Sequence, residues 1–394
     1  MKVLFLTREY PPHSIGGISK HTFWLVKSLN KLGVKCKVIS FGDPLSSTND
    51  VLFIKPESSV SINKTNLKHN FKIISDIKKI DDIANDMINT GYFDILHVED
   101  PYLGPFLKSW NIVTTVHDTS VGEINSMIHN VQTGLDIKYL IFFASIGPIL
   151  EHLTLKKTKM LITVNDNVKN ELIKYYNIPY EKITIIPNGV FIPDSISKDI
   201  AKKKLGLETD CTLFFTASRL IPRKRLDLII KSTKIFINNA NCNFSIVICG
   251  DGPQKTFLLD LIKSYDLQEI IHLKGWVDEE SLHTYYEAAD IFLMPSEYEG
   301  MPIALLEAFS YGVVPICSNI PELKKLVIDG YNGLLFESGD IKQLAKKMQK
   351  LAINHKLRDF LLKSGRKFVK YYDWNKIALK TKFLYEKVLE INQK

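Results

Sequence analysis

The chain has 394 residues, of which 45% are hydrophobic and 24% charged, a length too great for one ordinary core and suited to two globular domains. Its net charge of +8 is not gathered into a basic arm, so nucleic acid is not the expected partner, although weak attraction to anionic surfaces or substrates is open. Five scattered cysteines without a CxxC pair argue against a disulfide framework and a zinc site and for a reducing cytoplasm, and no run approaches the roughly 20 apolar residues that cross a bilayer.

The opening "MKVLFLTREYPP" reads as a first buried strand and not as a signal peptide, because its apolar stretch is short and prolines follow it. From there both halves alternate short apolar runs with helical periods. In the first half the runs are 3–7, 35–41, 94–100, 111–118, 159–164 and 183–189. In the second they are 212–220, 244–252, 270–276, 290–296, 313–318 and 333–337. Near-continuous apolar strands between helices predict parallel sheets covered on both faces, and two such sets predict two doubly wound domains. The expected boundary lies in "PNGVFIPDSISKD", 187–199, dividing an N-terminal domain, 1–190, from a C-terminal one, 191–373. The terminal stretch 374–394 is expected to be a helix. Ligands of open parallel sheets bind beyond the carboxyl ends of the strands, so the expected site is a cleft between the domains.

In chain order, "IGGISKH" at 15–21 is a Gly-Gly turn into a helix, where backbone N–H groups can approach a phosphate closely. A plain turn is an equal reading. The turn is not GxGxxG, and no acidic residue completes a dinucleotide fingerprint, which makes a nicotinamide-dependent dehydrogenase a weak candidate. "TTVHDTS" puts His117 at the end of a buried strand, where a polar role outweighs local backbone satisfaction. The segment 139–150, flanked by lysines, is either an interfacial helix or a core helix, with the core reading preferred.

"TASRLIPRKRLDLI", 216–229, stacks Arg219, Arg223, Lys224 and Arg225 after a strand and at an expected helix start. Cations oppose the macrodipole there, so the stretch expects an anion, and a planar Arg fork beside a Lys suits a diphosphate. Glu299 and Glu307 then stand eight positions apart in "SEYEGMPIALLEAFSYGVVP", with Pro302 expected in the first turn of a helix over 302–311. Helical rise would separate them by roughly 12 Å, too far for a hydrolytic carboxylate pair but suited to one ligand with a polyol at each end. A bland reading makes Glu299 a helix cap and Glu307 an exposed residue. It accounts poorly for Glu307, which has apolar neighbours on both sides.

"SEYEGMPIALLEAFSYGVVPI" resembles the Glu-x7-Glu signature of glycosyltransferase family 4, retaining sugar-nucleotide transferases of the GT-B fold. The resemblance extends through "PPHSIGGISKH", "HD" at 117–118, "IPNGV" at 186–190, "SRLIPRKRLDLII" at 218–230, "ICGDGP" at 248–253 and "LKGWV" at 273–277. It implies two Rossmann-like domains facing a central cleft, with 374–394 packed back on the first. It also implies that Glu307 binds ribose hydroxyls and that Arg219 and Lys224 hold the diphosphate. Glu299 and the backbone of Gly300, Met301, Pro302 and Ile303 would meet the donor sugar or its phosphate. Gly275, Trp276 and Val277 would meet the base, His117 the sugar near its reacting carbon, and Gly16 and Gly17 the phosphates. The chain departs from the common pattern in having Gly-Met-Pro after the first glutamate, where proline removes a backbone donor.

With no DxD triplet to seat a metal, the expected reaction is metal-independent and cofactor-free. A hexose would pass from a nucleotide diphosphate sugar, with UDP favoured, to the hydroxyl of a carbohydrate or lipid-linked acceptor, in cell-surface polysaccharide or glycolipid synthesis. The expected setting is the cytoplasm, with peripheral contact at the inner face of the membrane left open. A sugar-nucleotide epimerase and a non-catalytic nucleotide-sugar-binding protein of the same fold are the alternatives.

Overall fold

The computed structural model describes the chain apart from residues 14–15, 58–66, 109, 128–145, 238–241 and 392–394. It divides into two compact units: the first takes the chain to Gly189 and resumes at Trp374, and the second spans Val190–Asp373.

The first unit is a seven-stranded sheet in the order β3-β2-β1-β4-β5-β6-β7, with every pair parallel. Its strands are β1 (Lys2–Leu6), β2 (Lys35–Phe41), β3 (Val51–Ile54), β4 (Ile95–Val98), β5 (Ile112–Val116), β6 (Met160–Thr163) and β7 (Ile183–Ile185). Because β4 and β5 are buried along their whole length, both faces need cover. One face receives α1 (Gly17–Lys31) and the long terminal helix Trp374–Ile391, which contribute Leu25, Leu29, Ile377, Leu384 and Tyr385 to a shared core. The other receives α2 (Leu67–Asn89), through Ile77, Ile80 and Ala84, and Leu150 of the helix Gly147–Lys157. Gly189 is required where the terminal helix docks, since a Cβ there would lie 2.4 Å from the Trp374 ring. Of the segment 139–150, residues up to 145 lie outside the described part; beyond it, Leu150 is buried and Ile149 exposed.

The second unit repeats the plan with six parallel strands in the order β10-β9-β8-β11-β12-β13. They are β8 (Thr212–Ala217), β9 (Phe244–Cys249), β10 (Ile271–Gly275), β11 (Ile291–Met294), β12 (Val314–Ser318) and β13 (Leu334–Phe336), around one core that includes Phe214, Ile246, Ile291 and Ile316. In each unit the order reverses direction next to the first strand, at β1/β4 and at β8/β11. Loops leaving the carboxyl ends of those neighbours part there and open a crevice. The twelve apolar runs of the sequence all become strands; the strand not anticipated, β3, is four residues long and edges the first sheet.

Candidate functional site

In the second unit the β8/β11 switch brings together segments 75 positions apart. After β8 a 3₁₀ turn, Pro222–Lys224, presents Lys224, and Arg225 follows in the left-handed region at φ 48°. The helix begins at Leu226, so Arg225 stands immediately before its N-terminus, with Arg223 and Lys224 in the 3₁₀ turn ahead of it. These three are also tied within the protein. Arg223 donates to the Tyr298 carbonyl at 2.8 Å, and Arg225 pairs with Glu297 and, at 3.1 Å, with Asp227. Arg219 sits half-buried just past the end of β8, and Lys224 has its Nζ 2.6 and 2.8 Å from the two carboxylate oxygens of Glu299.

Glu299 is 4% exposed, and Arg223 stands 3.5 Å from its Oε2. Burial raises its carboxyl, but Lys224 and then Arg223 outweigh burial and hold it below the usual carboxylate range. Burial likewise lowers the Lys224 ammonium while Glu299 opposes that; two short charge-assisted bonds favour the ionised pair. The cap reading of Glu299 is wrong. The helix, Ile303–Ser310, has Pro302 as its N-cap in extended conformation and no side-chain cap. Pro302 is therefore outside the first turn, because its N-cap geometry (ψ 115°) is not helical. The expected 302–311 helix is one residue shorter at each end, and the 12 Å helical spacing does not apply across 299–302.

Glu307 lies about one turn into that helix, half-buried beside Tyr286 and Tyr311, whose rings stack at 5.6 Å. Burial and then the Glu307 carboxylate push both phenols up. Met301 and Pro302 are buried, while Gly300 and Ile303 are partly open. Gly275 closes β10 at φ 74° and accepts from Gly250 N–H at 2.7 Å. Trp276 beside it is 64% exposed, and Val277 is half-buried. The glycines of "GDGP" serve the protein itself: a Cβ on Gly250 would lie 1.8 Å from the Ser218 carbonyl oxygen, and one on Gly252 would lie 2.6 Å from that of Leu220.

In the first unit, Gly16 is the N-cap of α1 and Gly17 its first residue. A Cβ on Gly17 would meet nothing within 4 Å, and one on Gly16 only the Glu9 carboxylate at 3.7 Å, so packing demands neither glycine. β5 ends at Val116, and His117 follows, its side chain 13% exposed. Its Nε2 is 3.4 Å from Oε2 of Glu99, a fully buried carboxylate just past β4. His21 on α1 and His97 on β4 approach the same carboxylate at 3.5 Å each. Burial alone would raise Glu99, but His97, His21 and His117 outweigh it and hold the carboxyl down at about 2. Burial drives His21 the other way from its ordinary value, to about 3, against the pull of Glu99. His97 binds the Tyr385 hydroxyl through Nδ1 and Thr115 Oγ1 through Nε2 at 2.7 Å.

The sequence reading named His117 but missed Glu99, His21 and His97. A polar residue at the carboxyl end of a buried strand, the signal used for His117, also marks Glu99. His21, Glu99 and His117 keep their ligand atoms within 4.8 Å of one another, the one such group among the described residues, and their donor types could take a zinc ion. A 490 Å³ cavity lined by Lys35, Lys37, Asp50 and Tyr92 lies at the amino ends of β2, β3 and β4, opposite the end that carries His117.

The family profile described as "Glycosyltransferase Family 4" matches residues 15–192, and that described as "Glycosyl transferases group 1" matches residues 197–368. The chain is 29% identical to a UDP-Gal:alpha-D-GlcNAc-diphosphoundecaprenol alpha-1,3-galactosyltransferase of Escherichia coli over 81% of each chain. It is 21% identical to an uncharacterised glycosyltransferase of Methanocaldococcus jannaschii over 99% of each. The solved structure of a sucrose-phosphate synthase from Thermosynechococcus elongatus superposes with a TM-score of 0.80 at 19% identity, covering 99% of this chain and all of that one. Two parallel α/β units, a Glu-x7-Glu segment whose first glutamate joins the basic turn and whose second lies on the helix after it, and matches that together span both units make this chain a family 4 type glycosyltransferase of the GT-B fold.

Proposed function

We propose that this glycosyltransferase moves a hexose from a UDP-linked donor to an acceptor hydroxyl, with retention of anomeric configuration and without a divalent metal or other cofactor. The acceptor is a carbohydrate or lipid-linked saccharide in cell-surface polysaccharide or glycolipid synthesis. The setting is the cytoplasm, with peripheral contact at the inner face of the membrane; among the described residues no helix is long and apolar enough to cross one. The name of the E. coli relative, a UDP-Gal transferase acting on a diphosphoundecaprenol-linked sugar, supports donor and acceptor class.

The observation that carries the reading is the Lys224–Glu299 pair at the mouth of the helix bearing Glu307. Two of the three Lys224 N–H groups are directed to Glu299, which leaves a fixed donor for a phosphate oxygen. Arg219 supplies the second cation, Glu307 accepts from ribose hydroxyls, and Glu299 with the 300–303 backbone meets the sugar. Gly275, Trp276 and Val277 take the base, and Gly16 and Gly17 let their loop approach the phosphates. His117 contacts the sugar near its reacting carbon. Metal independence is supported by the nearest acidic pair, Glu297 and Glu299, whose carboxylates are already held by Arg225 and Lys224. The bond from the anomeric carbon to the diphosphate oxygen breaks as the acceptor oxygen bonds on the same face, and the leaving phosphate takes the acceptor proton. Positive charge on Arg219 and Lys224 stabilises the departing oxygen, a term worth several kcal/mol in water-poor sites.

A thermal-shift screen of UDP-, GDP- and ADP-sugars, followed by hydrolysis of the best binder with NMR of the released anomer, tests this. Stabilisation by a UDP-hexose and turnover unaffected by EDTA support it; a nicotinamide response, or loss of all turnover on chelation, refutes it.

A further inference from the structure

We infer that Glu99 is a positioning residue for the transfer, fixing the proton of His117 on Nε2 and turning the rest of that ring toward the substrate. The inference rests on the role given to His117 above. Three imidazoles surround one buried carboxylate, and geometry separates their tasks. His97 has a hydroxyl on each ring nitrogen, from Tyr385 and Thr115, so its ring is committed to the wall of the unit. His21 Nε2 lies 3.5 Å from Glu99 Oε2, and that ring packs edge-on against His117 at 4.6 Å and Trp374 at 5.2 Å. It limits the positions open to the His117 ring. Side-chain exposure runs 0% for His97, 4% for His21 and 13% for His117, so of the three only His117 turns appreciably outward, and it hydrogen-bonds Glu99 Oε2.

A fully buried carboxylate is expensive, and an apolar residue or a glutamine would fill the same space at lower cost. What a carboxylate adds is a fixed acceptor, and the bond that one imidazole nitrogen makes decides the protonation of the other. With Nε2–H directed at Glu99, Nδ1 is left as the acceptor for a sugar hydroxyl. The fold delivers this because the β1/β4 switch places α1 and the end of β4 side by side, with β5 the next strand.

The test uses the full chain with ¹⁵N-labelled histidine and three variants, Glu99→Gln, Glu99→Asp and His117→Gln. In the wild type, the His117 signal, assigned by its loss in His117→Gln, is expected as the Nε2–H tautomer, and in Glu99→Gln it moves toward Nδ1–H. Release of UDP from UDP-galactose is expected to fall about 10- to 100-fold in kcat with KM within about twofold. Adding Glu99→Gln to His117→Gln is expected to cost no further activity. Should Glu99→Gln not fold, Glu99→Asp keeps the charge but withdraws it from His117, and the same spectral and kinetic losses are expected. Additive losses, a raised KM at unchanged kcat, or an Nδ1–H tautomer in the wild type would overturn the inference. So would an equivalent of zinc in the purified protein lost on removing Glu99. If the wild type does not turn over UDP-galactose, that failure belongs to the donor reading, and the tautomer still decides the role of Glu99.

Discussion

Lys224 Nζ spans both carboxylate oxygens of Glu299, at 2.6 and 2.8 Å, with the carboxylate side chain 5% and the lysine side chain 13% exposed. Removing one member of such a pair strands the other charge. Lys224→Met is expected to cost about 3–5 kcal/mol of stability, moderated by Arg223, and about 100- to 1,000-fold in kcat. Urea unfolding and UDP release measure the two losses; an unchanged rate would remove Lys224 from the reaction.

The same pair sets an acid limit. Glu299 titrates below its unfolded value of about 4.3, so the unfolded chain binds the proton first as pH falls. Its contribution is complete above about pH 4.3 and is lost as pH drops through the depressed folded value. Urea midpoints from pH 6 to 3 should show a shallower acid decline in Glu299→Gln than in the wild type.

His21 supplies a second linkage at higher pH. Its folded value of about 3 lies far below the unfolded value of about 6.5, so the neutral ring stabilises the fold fully above pH 6.5 and progressively less below it. Within that window one proton is worth about 1.4 kcal/mol per pH unit at most. His21→Phe is expected to flatten the stability profile between pH 6 and 4.5, where Glu299 and Glu99 contribute little. A profile parallel to the wild type in that range counts against a buried neutral His21.

Glu307 is half-buried and hydrogen-bonded to the buried Tyr286 hydroxyl, on a helix whose cap does not depend on it, and Gln keeps an acceptor at the same place. Glu307→Gln is expected to change stability by less than about 0.5 kcal/mol and to weaken UDP binding by about 1.5–3 kcal/mol, the worth of a hydrogen bond to a charged acceptor. Titration calorimetry with UDP reads this directly, and an unaltered affinity would take Glu307 out of nucleotide binding.

Two glycines separate structural from functional need. Gly250→Ala places a Cβ 1.8 Å from a backbone carbonyl at φ 137°, and a loss of about 3 kcal/mol or more is expected. Gly17→Ala meets open space at the head of α1 and should be neutral or stabilising by up to about 1 kcal/mol. If that loop closes on phosphates, Gly17→Ala nonetheless loses turnover. Thermal melts beside UDP release distinguish the cases, and full activity in Gly17→Ala would free the glycine of its assigned role.

The fold was largely legible because parallel strands covered on both faces announce themselves as continuous apolar runs. β3, a four-residue edge strand with Pro56 two residues beyond its end, is the one that escaped. In the site, Glu299, Arg219 and Lys224 stood out by residue type after the ends of runs, and Glu307 as a carboxylate inside an apolar one. The partners of the basic stretch were not visible in it: Arg223 binds Tyr298, Arg225 binds Glu297 and Asp227, and Lys224 binds Glu299. Charge in a sequence does not reveal its countercharge.

Residue order alone was enough for the two α/β units, the carboxyl-end placement of His117 and the helix carrying Glu307, since each depends on local pattern or on neighbours within a few turns. Strand order decided the rest. His21, Glu99 and His117 meet because β1, β4 and β5 are neighbours, and Tyr385 reaches His97 because the last helix returns to the first sheet; Lys224 meets Glu299 because β8 lies against β11. Those contacts join positions tens to hundreds of residues apart, where no periodicity reaches, and burial then sets the ionisation of the groups they bring together.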